Sequence, residues 1–333
     1  MFIVNNYFLA VALCFVTMLC WGSWANTQKV TSSTWRYELF YWDYVIGILL
    51  LSIVSAFTLG SVGTGGRSFL EDLKQANSEN IANAFLGGII FNLANILLSA
   101  SIAIAGMSVA FPIGIGIALI LGVVINYWGA EQGNPTYIFL GVALIAIAIV
   151  FNAIAYRKKM ASRDKISPKG ILLSVVAGIL MSLFYRFIAK GMDLNDFTHP
   201  AIGKMTPYTA VLIFSLGIFT SNFIFNTILM RRPIDGKPVG CREYFSGTAK
   251  NHVIGILGGI IWGIGNSLNL IAAGKAGPAI SYGLGQGATL VAAFWGVFVW
   301  KEFKGVGKGT NILLALMFML FLLGLALVIY AGV

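Results

Sequence analysis

The chain has 333 residues, 58% of them hydrophobic and only 10% charged, with a mean hydropathy of +0.85. A soluble chain carries about 25% charged residues, so composition excludes a soluble enzyme and points to a polytopic membrane protein. The net charge of +10 does not indicate nucleic acid, because the cations sit in short loops between apolar runs, and three cysteines without paired spacing (Cys14, Cys20, Cys241) indicate neither disulfide nor metal.

Ten apolar runs are long enough to cross a bilayer: 6–27, 39–61, 81–104, 107–128, 136–156, 171–191, 207–230, 252–273, 277–300 and 311–332. Strand alternation is absent, so the predicted fold is an all-α membrane bundle of ten transmembrane helices. No Lys or Arg precedes the first run and no small-residue cleavage pattern follows it, which predicts a retained helix. The third and fourth runs meet at Ala105-Gly106, and the eighth and ninth at Gly274-Lys275-Ala276-Gly277.

These two hairpins are copies of one another. Residues 87–116 align without gaps on residues 258–287 at an offset of 171, with ten of thirty positions identical, among them Asn95/Asn266, Gly106/Gly277, Gly114/Gly285 and Gly116/Gly287. Phe91 aligns with Trp262 and Phe111 with Tyr282. The pattern is an internal repeat. A five-helix unit re-enters the membrane from the opposite side, so the second copy is expected to be inverted. The predicted units are residues 1–157 and 171–333, joined by a linker at 158–170. Sixteen of the twenty-two Lys and Arg fall in loops on the side reached after the first run, five on the other, and Arg186 lies within a run. The richer side is expected to be cytoplasmic, with both termini outside, in a multi-pass protein of a bacterial inner membrane.

Several side chains have the chemistry of a solute site. Trp21 and Trp24 end the first run; they serve either as interfacial anchors or as a stacking surface for a ring. The equivalent part of the sixth run is Phe184-Tyr185-Arg186-Phe187. Arg186 either faces a cavity or snorkels to the interface. Asn92 and Asn95 in the third run, Trp262, Asn266 and Asn269 in the eighth, and Tyr282 and Gln286 in the ninth give a neutral hydrogen-bonding set, although membrane asparagines also serve helix packing. Pro112 and the glycines at 283, 285 and 287 are expected to loosen the backbone beside them. Glu38 and Asp43, at the start of the second run, are candidates to carry a proton or to pair with Lys29 or Arg36. The histidines, His199 and His252, are read as lacking partners. The stretch Gly305 to Thr310 lacks the spacing and the preceding strand of a phosphate loop, so no nucleotide or other cofactor is expected.

The inverted five-plus-five pattern resembles the drug/metabolite transporter superfamily. Within it, Trp262-Gly263-Ile264-Gly265-Asn266, Gly106-Met107-Ser108 and Gly114-Ile115-Gly116-Ile117-Ala118 are similar to stretches of rhamnose–proton symporters, and Phe111-Pro112-Ile113 is similar to glucose/ribose porters. Trp42-Asp43-Tyr44, Phe57-Thr58-Leu59-Gly60 and Gly106-Met107-Ser108 resemble ureide permeases, and this likeness extends most widely along the chain. Plant ureide permeases carry a long central loop with a phosphate-loop-like sequence; here that loop runs only from Arg157 to Gly170, so nothing nucleotide-linked transfers. The resemblance implies a secondary transporter rather than an enzyme, with proton-coupled uptake of a small neutral ring-shaped solute. A monosaccharide ranks first, an allantoin-like ureide or nucleobase is the alternative, and drug or metabolite export is a further one. The expected partners are that solute, a proton and membrane lipid.

Overall fold

A computed structural model describes residues 1–31, 35–63, 65–160 and 167–333; the side chains of residues 107, 108, 159 and 160 and residues 161–166 of the linker lie outside the described set. Among the described residues, ten helices are long and apolar enough to span a membrane: α1 Tyr7–Val30, α2 Tyr37–Phe57, α3 Ser78–Ala105, α4 Phe111–Gly129, α5 Pro135–Lys158, α6 Pro168–Gly191, α7 Pro207–Arg231, α8 Ala249–Ala276, α9 Pro278–Val299 and α10 Lys308–Tyr330. No strand occurs among the described residues beyond one isolated bridge between Met192 and Met205.

The helix boundaries follow local chemistry. The side chains of Asn77 and Thr248 each accept from the backbone N–H three residues on, capping α3 and α8, while Pro168, Pro207 and Pro278 occupy first turns, where a missing N–H costs nothing. Helix α8 starts three residues earlier and ends three later than its apolar run, because its capped first turn, Ala249-Lys250-Asn251, is polar. The turns of both repeated hairpins reduce to a single glycine. Gly106 (φ 81°, ψ 154°) and Gly277 (φ 79°, ψ 152°) adopt the same positive-φ conformation, which a side chain would strain.

The two halves interlock through reciprocal crossings. In α3 against α7, a Cβ added to Gly88 would lie 2.1 Å from the Phe214 carbonyl oxygen, and one added to Gly217 would lie 2.2 Å from that of Phe85. In α8 against α2, a Cβ on Gly259 would lie 1.9 Å from the Tyr44 oxygen, and one on Gly47 would lie 2.2 Å from that of Ile256. Positions of α3 and α8 correspond at an offset of 171, those of α2 and α7 at 170. Only glycine permits backbones this close. Helices α5 and α10 pack together through Gly141 and Gly324, and α10 exposes Ile312, Leu322 and Leu323, as a lipid-facing helix does.

Loop contacts divide the bundle into two ends. At one, the linker end, Ser101 donates to the Gly170 carbonyl, Lys169 reaches the Ile234 carbonyl and Lys29 pairs with Glu302 at 3.1 Å. At the other, Asp72 accepts from Arg67 Nε (3.0 Å) and from the Thr206 backbone N–H (2.7 Å), and Arg67 also donates to the carbonyls of Pro200 and Lys204. Short capped helices, Phe69–Gln75 and Cys241–Phe245, precede α3 and α8 respectively, and their capping glutamates are Glu71 and Glu243.

Candidate solute-binding site

A narrow cavity of about 20 Å³ lies between the repeated hairpins. Helices α1 and α6 each contribute residues three apart, Trp21 with Trp24 and Met181 with Phe184, so that one helix face presents both. The equivalent residues Phe91 and Trp262 enter from α3 and α8, and Asn95 and Leu98 extend the α3 wall. Ile115 and Gln286, again equivalent, are the middle residues of the two Gly-x-Gly segments, with Ala288 beyond. The sequence reading had left α4, and hence Ile115, out of the lining.

The backbone is irregular at both Gly-x-Gly segments, for different reasons. Phe111–Ile115 forms a turn of π-helix at Pro112, which has no N–H to give to the regular ladder. Helix α9 breaks after Gly285, and Gln286 and Gly287 form a turn before the helix resumes at Ala288.

The cavity walls are aromatic and flat. The indoles of Trp21 and Trp262 are near-parallel, at 9° with centroids 5.9 Å apart, and Phe91 packs on Trp262 at 4.2 Å. Asn95 and Gln286 supply the lining's carboxamides. Asn95 donates to Tyr41 Oη at 3.3 Å. Trp21 Nε1 is a buried donor without a hydrogen-bond partner among the described residues.

Of the residues singled out from sequence, Trp21, Trp24, Asn95, Trp262 and Gln286 meet at this cavity. The others lie in its surroundings. Asn92 donates to Ser221 Oγ (2.9 Å) on α7, and Asn269 donates to the Ser281 carbonyl (2.8 Å). The Tyr185 hydroxyl bonds Ser281 Oγ at 2.9 Å, leaving the apolar Phe184 to face the cavity. Tyr282 donates to the carbonyls of Ala118 (3.2 Å) and Met181 (3.1 Å), joining α9 to α4 and α6. Asn266 is buried, and its Oδ1 has no partner among the described residues. The Arg186 guanidinium lies over Gly129, at the end of α4 away from the linker.

The acidic pair divides. Glu38 is fully buried, and Arg36 Nε donates to it at 3.1 Å; Arg36 is held in turn by the carbonyls of Asp235 and Lys237. Asp43 contacts neither Lys29 nor Arg36. It accepts from Tyr244 Oη at 2.6 Å, and His252 Nδ1 lies 2.9 and 3.0 Å from its two oxygens. The expectation that the histidines lack partners is therefore corrected: His252 pairs with Asp43, and His199 Nδ1 sits 3.5 Å from Asp196. The spacing of 209 residues between Asp43 and His252 carries no local signal; only the repeat register brings them together. Burial first, and then the Asp43 carboxylate, push the Tyr244 phenol above its ordinary range, so it remains a donor.

Comparison with known proteins agrees with a permease. A family model described as "Ureide permease" matches residues 40–169 and 157–331. Ureide permease 1 of Arabidopsis thaliana is 24% identical over 98% of this chain and 97% of its own length. A Lactococcus lactis protein named for sugar uptake is 23% identical over 77% of this chain and 89% of its own. A crystal structure of another protein superposes with a TM-score of 0.56, at 14% identity, over 95% of this chain and 97% of its own, which supports the fold alone.

Proposed function

The chain belongs to the ureide permease family, and from that membership we propose that it takes up a small neutral ring-shaped solute carrying amide groups, a cyclic ureide or a nucleobase, driven by a proton gradient. The protein is a multi-pass membrane transporter and not an enzyme. The observation that carries the solute class is the lining of this cavity: near-parallel indoles with two carboxamides, Asn95 and Gln286. A carboxamide offers a donor and an acceptor side by side, which matches the alternating N–H and C=O of a ring amide. Flat indoles match its face. No ionised side chain lines the cavity among the described residues, in keeping with a neutral solute.

The monosaccharide ranked first from sequence has one specific observation in its favour, the relatives named for sugar uptake. A pyranose would bring more hydroxyls than this lining has polar partners, and a buried hydroxyl left unpaired costs about 1–3 kcal/mol. The lining therefore favours the amide ring.

The working cycle is alternating access by two inverted halves, residues 1–157 and 171–333. Three observations support inversion: Gly106 turns at the linker end while Gly277 packs on Gln132 near the other, the short capped helices lie at opposite ends, and the glycine crossings are reciprocal. The excess of Lys and Arg assigns the linker end to the cytoplasm and both termini to the outside. A thermal-shift screen of the purified protein against allantoin, uracil and glucose tests the solute class, since a ligand bound to the folded state raises its melting temperature. Stabilisation by glucose alone would overturn the amide-ring reading. Uptake of the best binder into proteoliposomes, with and without an uncoupler, tests the drive; accumulation untouched by the uncoupler would overturn it.

A further inference from the structure

One built cluster of titratable side chains lies outside the solute cavity. Asp43 is 1% exposed and held by Tyr244 and His252, while His252 is 25% exposed. Trp35 closes over the imidazole edge-to-face at 5.2 Å, and Tyr244 does the same at 4.9 Å. On the far side of the ring, Nε2 abuts Gly247; a Cβ added there would lie 2.7 Å from it. Trp35 and Gly247 also line a cavity of about 570 Å³ at the linker end. The cluster thus has a buried carboxylate at its inner edge and a ring nitrogen against Gly247, on the wall of the vestibule that this cavity forms.

The repeat shows that packing does not demand these residues. Asp43 stands one position before Tyr44 at the α2–α8 crossing, and its equivalent before Phe214 at the α7–α3 crossing is Ile213. At the offset of 171, Gly255, which touches the Asp43 Cβ, becomes Ala84, and His252 becomes Ile81. Ile213 is buried and Ile81 packs against the core. The same helix crossing is thus built once with aliphatic residues and once with an ionisable pair. Burying that pair brings a desolvation cost that the aliphatic version avoids.

We propose that Asp43 and His252 jointly hold the proton coupled to uptake, and release it at the linker end through His252 Nε2. The inference rests on the proton-driven reading above. With imidazole neutral and Nδ1–H donated to Asp43, the pair carries one negative charge. A proton added at Nε2 makes imidazolium against carboxylate, and the net charge becomes zero. The Tyr244 hydroxyl from the short helix stays a donor throughout. The other charged groups nearby are Glu243, Lys250 and Arg36 around the vestibule, with Glu38 one turn earlier on α2, and Arg36 and Glu38 are committed to each other. When the linker end opens and α8 or the Tyr244 helix withdraws from Asp43, the imidazolium loses its counter-charge and the proton leaves on that face. The arrangement therefore ties release to opening.

The test uses the full chain in proteoliposomes, with allantoin and uracil as probes. Asp43→Asn and His252→Gln are expected to lower gradient-driven accumulation at least tenfold. Exchange without a gradient, and thermal stabilisation by the probe, should stay within about twofold of wild type. Tyr244→Phe should keep accumulation with a displaced pH profile, and Asp43→Glu should restore it in part. Variants that accumulate solute with the wild-type pH profile overturn the proposal while leaving proton drive intact. A wild type that exchanges solute but ignores the gradient overturns the proton-driven reading itself. Should Asp43→Asn fail to fold, the pH profile of His252→Gln decides alone.

Discussion

The indole of Trp21, from the first half, lies nearly parallel to that of Trp262, from the second, with ring centroids 5.9 Å apart. Each half supplies one wall, so relative movement of the halves changes the spacing between them. An aromatic contact is worth about 0.5–1.5 kcal/mol beyond the area it buries. Trp262→Ala should weaken solute binding by at least about tenfold, because area and stacking are both lost, and Trp262→Phe by less. Titration of the melting temperature with solute gives the affinities. Unchanged affinity in Trp262→Ala would place the solute elsewhere.

Asn95 and Asn92 are one helical turn apart, yet only Asn95 lines the cavity; Asn92 donates to Ser221 of the neighbouring α7. Asn95→Leu and Gln286→Leu should raise the KM of uptake by about tenfold or more, since each leaves a polar group of the solute unpaired at about 1–3 kcal/mol. Asn92→Leu should leave KM within about threefold and lower the melting temperature instead. Equal effects on KM from both asparagines would mean that the cavity does not discriminate them.

The sequence made the bundle and its repeat legible because both rest on periodic features: apolar length, Gly-x-Gly spacing and a gapless offset. The same offset pointed to Trp262 and Asn95, while Gln286 stood out only as a polar side chain in an apolar run. It did not separate cavity side chains from packing ones one residue away. Tyr185 and Phe184 are adjacent in one aromatic stretch, but a buried hydroxyl must find a partner, and Ser281 on α9 provides one for Tyr185 outside the cavity. Tyr282 likewise spends its hydroxyl on two carbonyls. Ile115 carried no chemical signal, although its position between Gly114 and Gly116 matched that of Gln286. The His252–Asp43 pair was missed because it spans the halves and because the matching residues of the repeat, Ile81 and Ile213, are apolar.

Tyr282 therefore separates structure from binding. Its hydroxyl ties α9 to α4 and α6 at full burial. Tyr282→Phe should lower stability by about 0.5–1.5 kcal/mol, as it removes one buried O–H donor shared between two helix carbonyls. The affinity of the folded variant for solute should stay within about threefold. Denaturant unfolding in detergent and ligand titration measure the two separately, and a loss of affinity at unchanged stability would return Tyr282 to the binding residues.

The reciprocal glycine crossings predict a matched pair of failures. Gly88→Ala and Gly259→Ala each force a methyl to within about 2 Å of a carbonyl oxygen on the facing helix, Phe214 in one case and Tyr44 in the other. Backbone atoms cannot turn aside as a flexible side chain does, so each crossing must separate, at about 1–3 kcal/mol or more. Gly307→Ala, where an added Cβ meets nothing within 4 Å, is the control and should leave the melting temperature unchanged. Because the two crossings join opposite pairs of helices across the same interface, the double variant should be less stable than either single one, with nearly additive losses. A neutral Gly259→Ala beside a damaging Gly88→Ala would show that the α2–α8 crossing is loose in the protein as it folds, and would remove the fixed frame that the Asp43–His252 pair requires.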